Sequence, residues 1–477
     1  MPNTDFDAVI IGSGPNGLAA AILLQQQGLK VLIVEGKNHI GGGMRSAELT
    51  LPGFIHDICS AVHPMAAASP FLRNLPLADY GLHYIDPTVL AAHPLDGGTA
   101  AALYKDITQT AETLNIDKQY YADFVEPLVA SWPDIVQDIL SPLGFPKHPR
   151  KYLRFGLQAA LPASLFSKRF KGKELKALFA GMAAHSLLDF NQLTTSAIAL
   201  VLTMAGHHSG WPIVRGGSQQ LAQSMAAYFC ALGGKIETGI WIKSLEQLPK
   251  TRAIFFDTSP KQLLEIAGHR LTPLYKKQLN RYRYGAGLFK IDWALDGPVP
   301  FIAESCRQAG TVHIGNTFEE IAHAEKLVSQ GKHAEKPFVL FAQQSLFDPS
   351  RAPIGKQVAW GYCHVPNGST RDMSEQIESQ IERYAPGFRD LILARSLTNT
   401  EDLENYNPNY IGGDVNGGAL DLRQLFTRPA LRFSPYRTSA KGLYICSAST
   451  PPGGGVHGMG GFHAAKCALK DIFHIAL

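Results

Sequence analysis

Residues 6–35 constrain the architecture of this chain more than any other stretch. Phe6-Asp7-Ala8-Val9-Ile10-Ile11 is a β-branched run with no polar alternation after Asp7, the pattern of a parallel strand buried on both faces. It runs directly into Gly12-Ser13-Gly14-Pro15-Asn16-Gly17, and a helix of small residues is expected over 15–27, ended by Gly28. Lys30-Val31-Leu32-Ile33-Val34-Glu35 then reads as a second buried strand that closes on a carboxylate. Strand, glycine turn, helix and strand in this order make a βαβ dinucleotide-binding unit. Gly12 permits the turn off the strand, Gly14 lets the backbone approach a pyrophosphate, and Gly17 lets helix and strand pack closely. The helix N-terminus at Pro15 and Asn16 adds free N–H groups and partial positive charge. Glu35, 18 residues beyond Gly17, can accept hydrogen bonds from a ribose diol, which favours a 2′-hydroxyl over a 2′-phosphate.

The rest of the composition narrows the class. At 477 residues the chain exceeds one ordinary core, and 45% apolar against 18% charged residues excludes global disorder. A formal charge of +4, from 44 basic and 40 acidic residues, offers no polyanion-binding surface, so no nucleic-acid partner is expected. Cys59, Cys230, Cys306, Cys363, Cys446 and Cys467 form no C-x-x-C pair, which argues against a zinc knuckle or a redox dithiol. No metal site is expected. Scattered cysteines and the lack of a basic N-terminal leader lead us to expect a cytoplasmic protein.

The dinucleotide is specified just after the ribose acid, in Gly36-Lys37-Asn38-His39-Ile40-Gly41-Gly42-Gly43-Met44-Arg45-Ser46. This second glycine cluster resembles the extended FAD fingerprint of the phytoene desaturase and flavin amine oxidase superfamily. The resemblance implies that Gly36, Gly42, Gly43, Met44 and Arg45 wrap the pyrophosphate and approach the isoalloxazine; chemically, Arg45 supplies a bidentate cation for phosphate. Trp211-Pro212-Ile213-Val214-Arg215-Gly216-Gly217-Ser218, a helix over 219–232 and a strand expected over 235–242 resemble the superfamily's central block. There Ile242 would lie beside the adenine.

The C-terminal stretch gives the most specific match. Gly442-Leu443-Tyr444-Ile445-Cys446 reads as a strand and Ser447 to Gly461 as a glycine-rich loop, with a helix expected over 462–475. This resembles the closing motif of the phytoene dehydrogenase-related branch, the one called pyridine nucleotide-disulphide oxidoreductase-like, and implies flavin contacts at Gly458 and Met459. Many members carry Gly-Asp after the strand; Ser447-Ala448 stand here, so Ser447 or Ser449 would have to replace the aspartate's contact. The expected fold is α/β: a discontinuous Rossmann-type FAD-binding domain (1–81, 210–284, 436–477) and an α+β substrate domain built from insertions (82–209, 285–435). FAD is the expected cofactor.

Three residues are candidates for chemistry. Lys290 stands in an apolar strand, Leu288-Phe289-Lys290-Ile291-Asp292-Trp293, and flavin amine oxidases carry a lysine in the equivalent strand; its neighbours Phe289 and Ile291 should face away into a core. His457 lies in the loop expected beside the flavin, and His63 follows the second FAD segment. From 147 to 176 there are nine Lys or Arg against the single acid Glu174, interleaved with Tyr152, Leu153, Phe155, Leu157, Leu165, Phe166 and Phe170. That composition suits either a solvated basic face or a peripheral contact with anionic membrane. The resemblance implies an FAD-dependent oxidoreductase that removes hydride from a hydrophobic organic substrate, with C–C desaturation as the first reading. C–N oxidation, or an FAD-bound interaction protein without turnover, is the alternative. The electron acceptor (oxygen or quinone), the substrate and the oligomer stay open.

Overall fold

A computed structural model describes residues 4–425 and 427–476. The βαβ unit forms as its sequence requires. Strand Phe6–Ile11 lies at the centre of a five-stranded sheet, flanked by Val31–Val34 and then Lys235–Glu237 on one side and by Thr251–Phe256 and then Leu443–Ile445 on the other. All four pairings are parallel, and the registers Ile11↔Val34, Ile11↔Phe256, Phe256↔Ile445 and Val34↔Glu237 bring every strand to its carboxyl end in one row. The strand order reverses at the central strand, where α/β sheets bind ligands. Gly12, Glu35, Asp257 and Cys446 therefore leave the sheet side by side.

Helix Pro15–Gln26 starts with proline in its first turn and is buried from Asn16 to Leu24. It packs against the C-terminal helix Met459–Ala468. Gly461 permits that approach, since a Cβ there would lie 1.8 Å from the Asn16 carbonyl oxygen, and Gly17 permits the helix's approach to the strand ends, where a Cβ would lie 2.3 Å from the Gly12 carbonyl oxygen. The expected strand 235–242 stops at Glu237. Gly239 takes φ +73° and the Ile240 N–H then bonds the Glu35 carbonyl, so Ile242 is carried on an irregular turn. The C-terminal helix begins at Met459 and widens into a π turn over Leu469–Phe473.

A second sheet has seven strands in the order Ile392–Thr398, Gly287–Leu295, Gln357–Val365, Val339–Ala342, Ala309–Ile314, Val89–Leu95, Thr99–Leu103. Strands from both insertions thus share one sheet. Its outer face carries Phe289, Ile291, Trp293, Val312 and Phe341, packed on Ile377 and Ile381 of helix Ser374–Tyr384. Its inner face faces a helical layer that includes Lys118–Ile139, Pro149–Ala159, Lys173–Ala184 and Thr195–Ser209. No helix among the described residues is long and apolar enough to cross a membrane.

Candidate cofactor and substrate site

One cavity of about 850 Å³ runs from the carboxyl edge of the first sheet, across the inner face of the second, to a mouth between helices. Gly12, Gly14, Pro15, Asn16, Glu35, Gly36, Gly42, Gly43, Arg45, Ile242, Ser447 and Ser449 line its first stretch. The floor is Leu288, Thr311, Leu340, Trp360 and Tyr362. The helical wall includes Ile139, Tyr152, Phe155, Ile198, Val201 and Leu202.

The first stretch is polar and tightly bonded. Glu35 Oε2 accepts from the Ser13 N–H at 3.0 Å and the Ser13 hydroxyl at 2.6 Å, and Oε1 accepts from the Lys37 N–H at 2.9 Å. Arg45 Nη2 lies 3.5 Å from Glu35 Oε1, its Nε bonds the Ile40 carbonyl, and its guanidinium stacks over Tyr406. Three accepted bonds leave the Glu35 carboxylate with a remaining lone pair. The two glycine loops abut: a Cβ on Gly42 would meet the Gly14 Cα at 3.0 Å. This cradle leaves no room for side chains where a pyrophosphate would run, and its acid and its cation are already oriented. The donor set fits a dinucleotide.

Gly17, Met44, Gly458 and Met459 do not line the cavity. The Gly17 N–H is spent on Asp257 Oδ2 at 2.9 Å. Met44 is fully buried in the core, Gly458 turns the chain into the last helix at φ +70°, and the Met459 N–H bonds His457. Asp257 itself was not among the expected residues, although it repeats the pattern of Glu35, a carboxylate at the end of a buried strand. Burial, aided by the Glu35 charge, pushes its carboxyl up to about 7.

The three catalytic candidates part company. His457 Nδ1 accepts from the Met459 N–H at 3.0 Å, which places the ring proton on Nε2, a buried donor without a partner. His63 is the converse. Its Nε2 lies 2.8 Å from Ser218 Oγ, whose own hydrogen goes to the Ser60 carbonyl. Nε2 therefore donates, and Nδ1 is a buried acceptor with no partner. Both histidines line the cavity, and burial lowers each to about 4, so both rings are neutral near pH 7. Lys290 does not line the cavity. It shares the inner face with Leu288 and stands in register with Tyr362, but its ammonium is ion-paired with Asp292 and lies 5.6 Å from the Trp360 ring centre. Alternation gives the face on which it stands, and its ammonium is turned to Asp292 and the Trp360 ring rather than into the cavity lining.

His185, Thr311, Trp360 and Tyr362 are lining residues that the sequence did not single out. No local motif announces them, since the register of three strands brings them together. Trp360 and Tyr362 stack side by side at 12°. Leu143 and Phe433, which line the cavity, are exposed, as are Phe145, Leu153, Leu157 and Leu431, close to lining residues in sequence.

Comparison with known proteins agrees with this geometry. The family described as NAD(P)-binding Rossmann-like domain matches residues 10–75. The chain is 26% identical to the Mus musculus protein called pyridine nucleotide-disulfide oxidoreductase domain-containing protein 2, over 98% of this chain and 94% of that one. It is 22% identical to a lycopene-forming phytoene desaturase of Paracoccus sp., over 98% and 97%. Wild-type putrescine oxidase solved with putrescine shares the fold, with a TM-score of 0.62 at 15% identity over 98% and 99% of the two chains. Fold and site thus define an oxidoreductase built on a Rossmann-type dinucleotide-binding domain. Over nearly the whole chain its homologues include phytoene desaturases, and its fold is the one seen in putrescine oxidase. All six cysteines are free.

Proposed function

We propose that this chain binds one FAD non-covalently and uses it to take hydride from a neutral, hydrophobic substrate, most readily in C–C desaturation. The observation that carries the reading is the cavity's continuity from a nucleotide cradle into an apolar channel. FAD, when bound, supplies the hydride acceptor. The chain's own residues have four tasks. Glu35 accepts from the ribose diol, and the N-terminus of helix Pro15–Gln26 with Arg45 faces the pyrophosphate. Ile242 packs beside the adenine, and Ser447 and Ser449 line the stretch near the ribityl chain. His457 Nε2–H and His63 Nδ1 offer a donor and an acceptor at the inner end. The apolar floor and helical wall exclude water and hold the reacting C–H in place. The division into an FAD domain (1–81, 210–284, 436–477) and a substrate domain (82–209, 285–435) is part of this proposal.

C–N oxidation is less well supported. Among the described residues, the only carboxylate lining the channel beyond the cradle is Asp138, at the mouth, where it accepts from the Lys147 N–H. A substrate ammonium would meet no counter-charge at the floor. The aromatic pair Trp360 and Tyr362 lies along one wall and does not face itself across the cavity.

The same proposal includes entry from a membrane surface. Helix Pro149–Ala159 lines the cavity through Tyr152 and Phe155 and leaves Leu153 and Leu157 exposed, as are Leu143 and Phe433 of the lining, and Arg150, Lys151 and Arg154 share that helix. Purified protein should be yellow and release its flavin to acid precipitation, and neutral apolar substrates should bleach it anaerobically. Protein that stays colourless with added FAD would refute the reading. Vesicles of anionic lipid should pull the protein down and neutral ones should not; equal sedimentation with both would remove the membrane contact.

A further inference from the structure

The channel floor holds a polar cluster that no step above uses. His185, at the C-terminus of helix Lys173–Ala184, lines the cavity, and its Nε2 lies 3.0 Å from Nε2 of His313. His313 stands two residues from Thr311 on strand Ala309–Ile314, and both face inward. The helix comes this close because residue 181 is glycine: a Cβ there would lie 2.7 Å from His313 Nδ1. Thr311 pairs with Ala342, which pairs with Trp360, so Thr311 and Trp360 belong to one row of the same face. Both are buried lining residues, and Thr311 Oγ1 and Trp360 Nε1 have no protein partner.

The proton between the two histidines can be placed. His313 Nδ1 is buried and unpartnered. Were His185 to donate, His313 would carry its proton on Nδ1 as a buried, orphaned N–H; were His313 to donate from Nε2, its buried Nδ1 would be left only as an acceptor and the free N–H would be that of His185, which lines the cavity. Buried orphan donors are the rarer case. His313 therefore donates, and His185 carries its proton on Nδ1, which no group among the described residues bonds. Burial, with His364 nearby, lowers His185 to about 3, so the ring is neutral. The indole of Trp360 can only donate, and the Thr311 hydroxyl can do either.

We propose that this end of the channel is a polar subsite that takes the carbonyl oxygen of an otherwise apolar substrate, with His185 Nδ1–H as the principal donor and Thr311 and Trp360 beside it. The charged groups closest to these donors, Lys290 with Asp292 and Glu325 with His364, are paired with one another and do not line the cavity, so the donors select a neutral acceptor over an amine or a bare hydrocarbon. The inference rests on reading the cavity as a substrate channel beside bound FAD.

Calorimetry with matched probes tests it: carvone against limonene, and 2-decanone against 1-decene, each pair a ketone and a close hydrocarbon counterpart. The ketones should bind about tenfold tighter, as expected of one or two satisfied buried hydrogen bonds. His185→Phe and Thr311→Val should each erase most of that preference while leaving hydrocarbon affinity unchanged, and His185→Asn, which keeps an N–H near the Nδ1 position, should retain it. Hydrocarbons binding as tightly as ketones, ketones not binding at all, or variants weakening both probes equally would each overturn the subsite. FAD content is scored on the same preparations. Bound FAD without ketone preference overturns the subsite alone; ketone preference without FAD uptake supports the subsite and overturns the flavin reading.

Discussion

The two ends of the cavity are built in opposite ways. At the nucleotide end, Glu35, Arg45 and Ser13 are locked by bonds to one another and to the backbone, and glycines clear the space between them. At the floor, Thr311, Trp360 and His313 keep polar atoms without protein partners, set among Leu288 and Leu340. A pre-bonded cradle suits a ligand that is always the same and stays bound. Unsatisfied groups in an apolar wall suit a ligand that comes and goes and supplies the missing bond itself. If this contrast is real, damage at the first end should cost cofactor and fold, and damage at the second should cost turnover alone.

The largest effect should follow Gly461→Val, where a Cβ would have to occupy space 1.8 Å from the Asn16 oxygen. The two helices that close the cradle would have to separate, at a cost of at least about 3 kcal/mol. Differential scanning calorimetry should show a markedly lower unfolding temperature and the flavin peak should vanish from the purified protein; a wild-type melting curve would contradict the helix contact. Next comes Glu35→Ala. Losing a charge-assisted bond costs about 1.5–3 kcal/mol, or roughly ten- to hundred-fold in FAD affinity. Turnover per bound FAD should stay unchanged, and equal FAD affinity in titrations of both proteins would place the ribose elsewhere.

A smaller, pH-dependent effect is expected at Asp257, which lines the cradle with a carboxyl raised from 3.8 to about 7. The folded state holds this proton more tightly than the unfolded one. The resulting stability is therefore fully present below about 3.8 and is lost as pH rises through about 7. The ionised carboxylate also faces the stretch proposed for the pyrophosphate, so FAD affinity should fall between pH 6 and 8. Asp257→Asn should flatten both trends and bind FAD several-fold tighter at pH 8. Parallel pH dependence in variant and wild type would show that another group titrates.

How much could be read beforehand follows the same contrast. The cradle was legible because each part is local: turn glycines, a strand-end acid and a helix start lie within 35 residues of one another. Even there the sequence overreached at Gly17, Met44, Gly458 and Met459, which shape the cradle from behind its surface. Asp257 escaped notice since its partner, the Gly17 N–H, is 240 residues away in sequence. The floor was illegible for a stronger version of that reason. Thr311 meets Trp360 only through the registers of three strands, and His185 reaches His313 only because Gly181 lets a helix close in. The resemblance implied a hydrophobic substrate and was silent on the channel's polar end.

Lys290 lies between the two ends and gives the finest discrimination. It is buried against Asp292, whose carboxyl is raised by burial, despite the lysine, to about 6. Lys290→Met alone would leave that carboxylate without its cation, a loss of about 3–5 kcal/mol that obscures any effect on the flavin. Removing both partners with Lys290→Met and Asp292→Asn takes away the uncompensated charge, and paired replacement of buried ions is often close to neutral for stability. The double variant should therefore melt near the wild-type temperature and keep its FAD, because no cradle contact involves either residue. Since the ammonium is paired with Asp292 and does not line the cavity, flavin reduction and reoxidation in stopped flow should slow by less than about tenfold, an indirect effect. A loss of a hundredfold or more in either half-reaction, with stability and FAD intact, would mean that Lys290 reaches the reacting atoms after all.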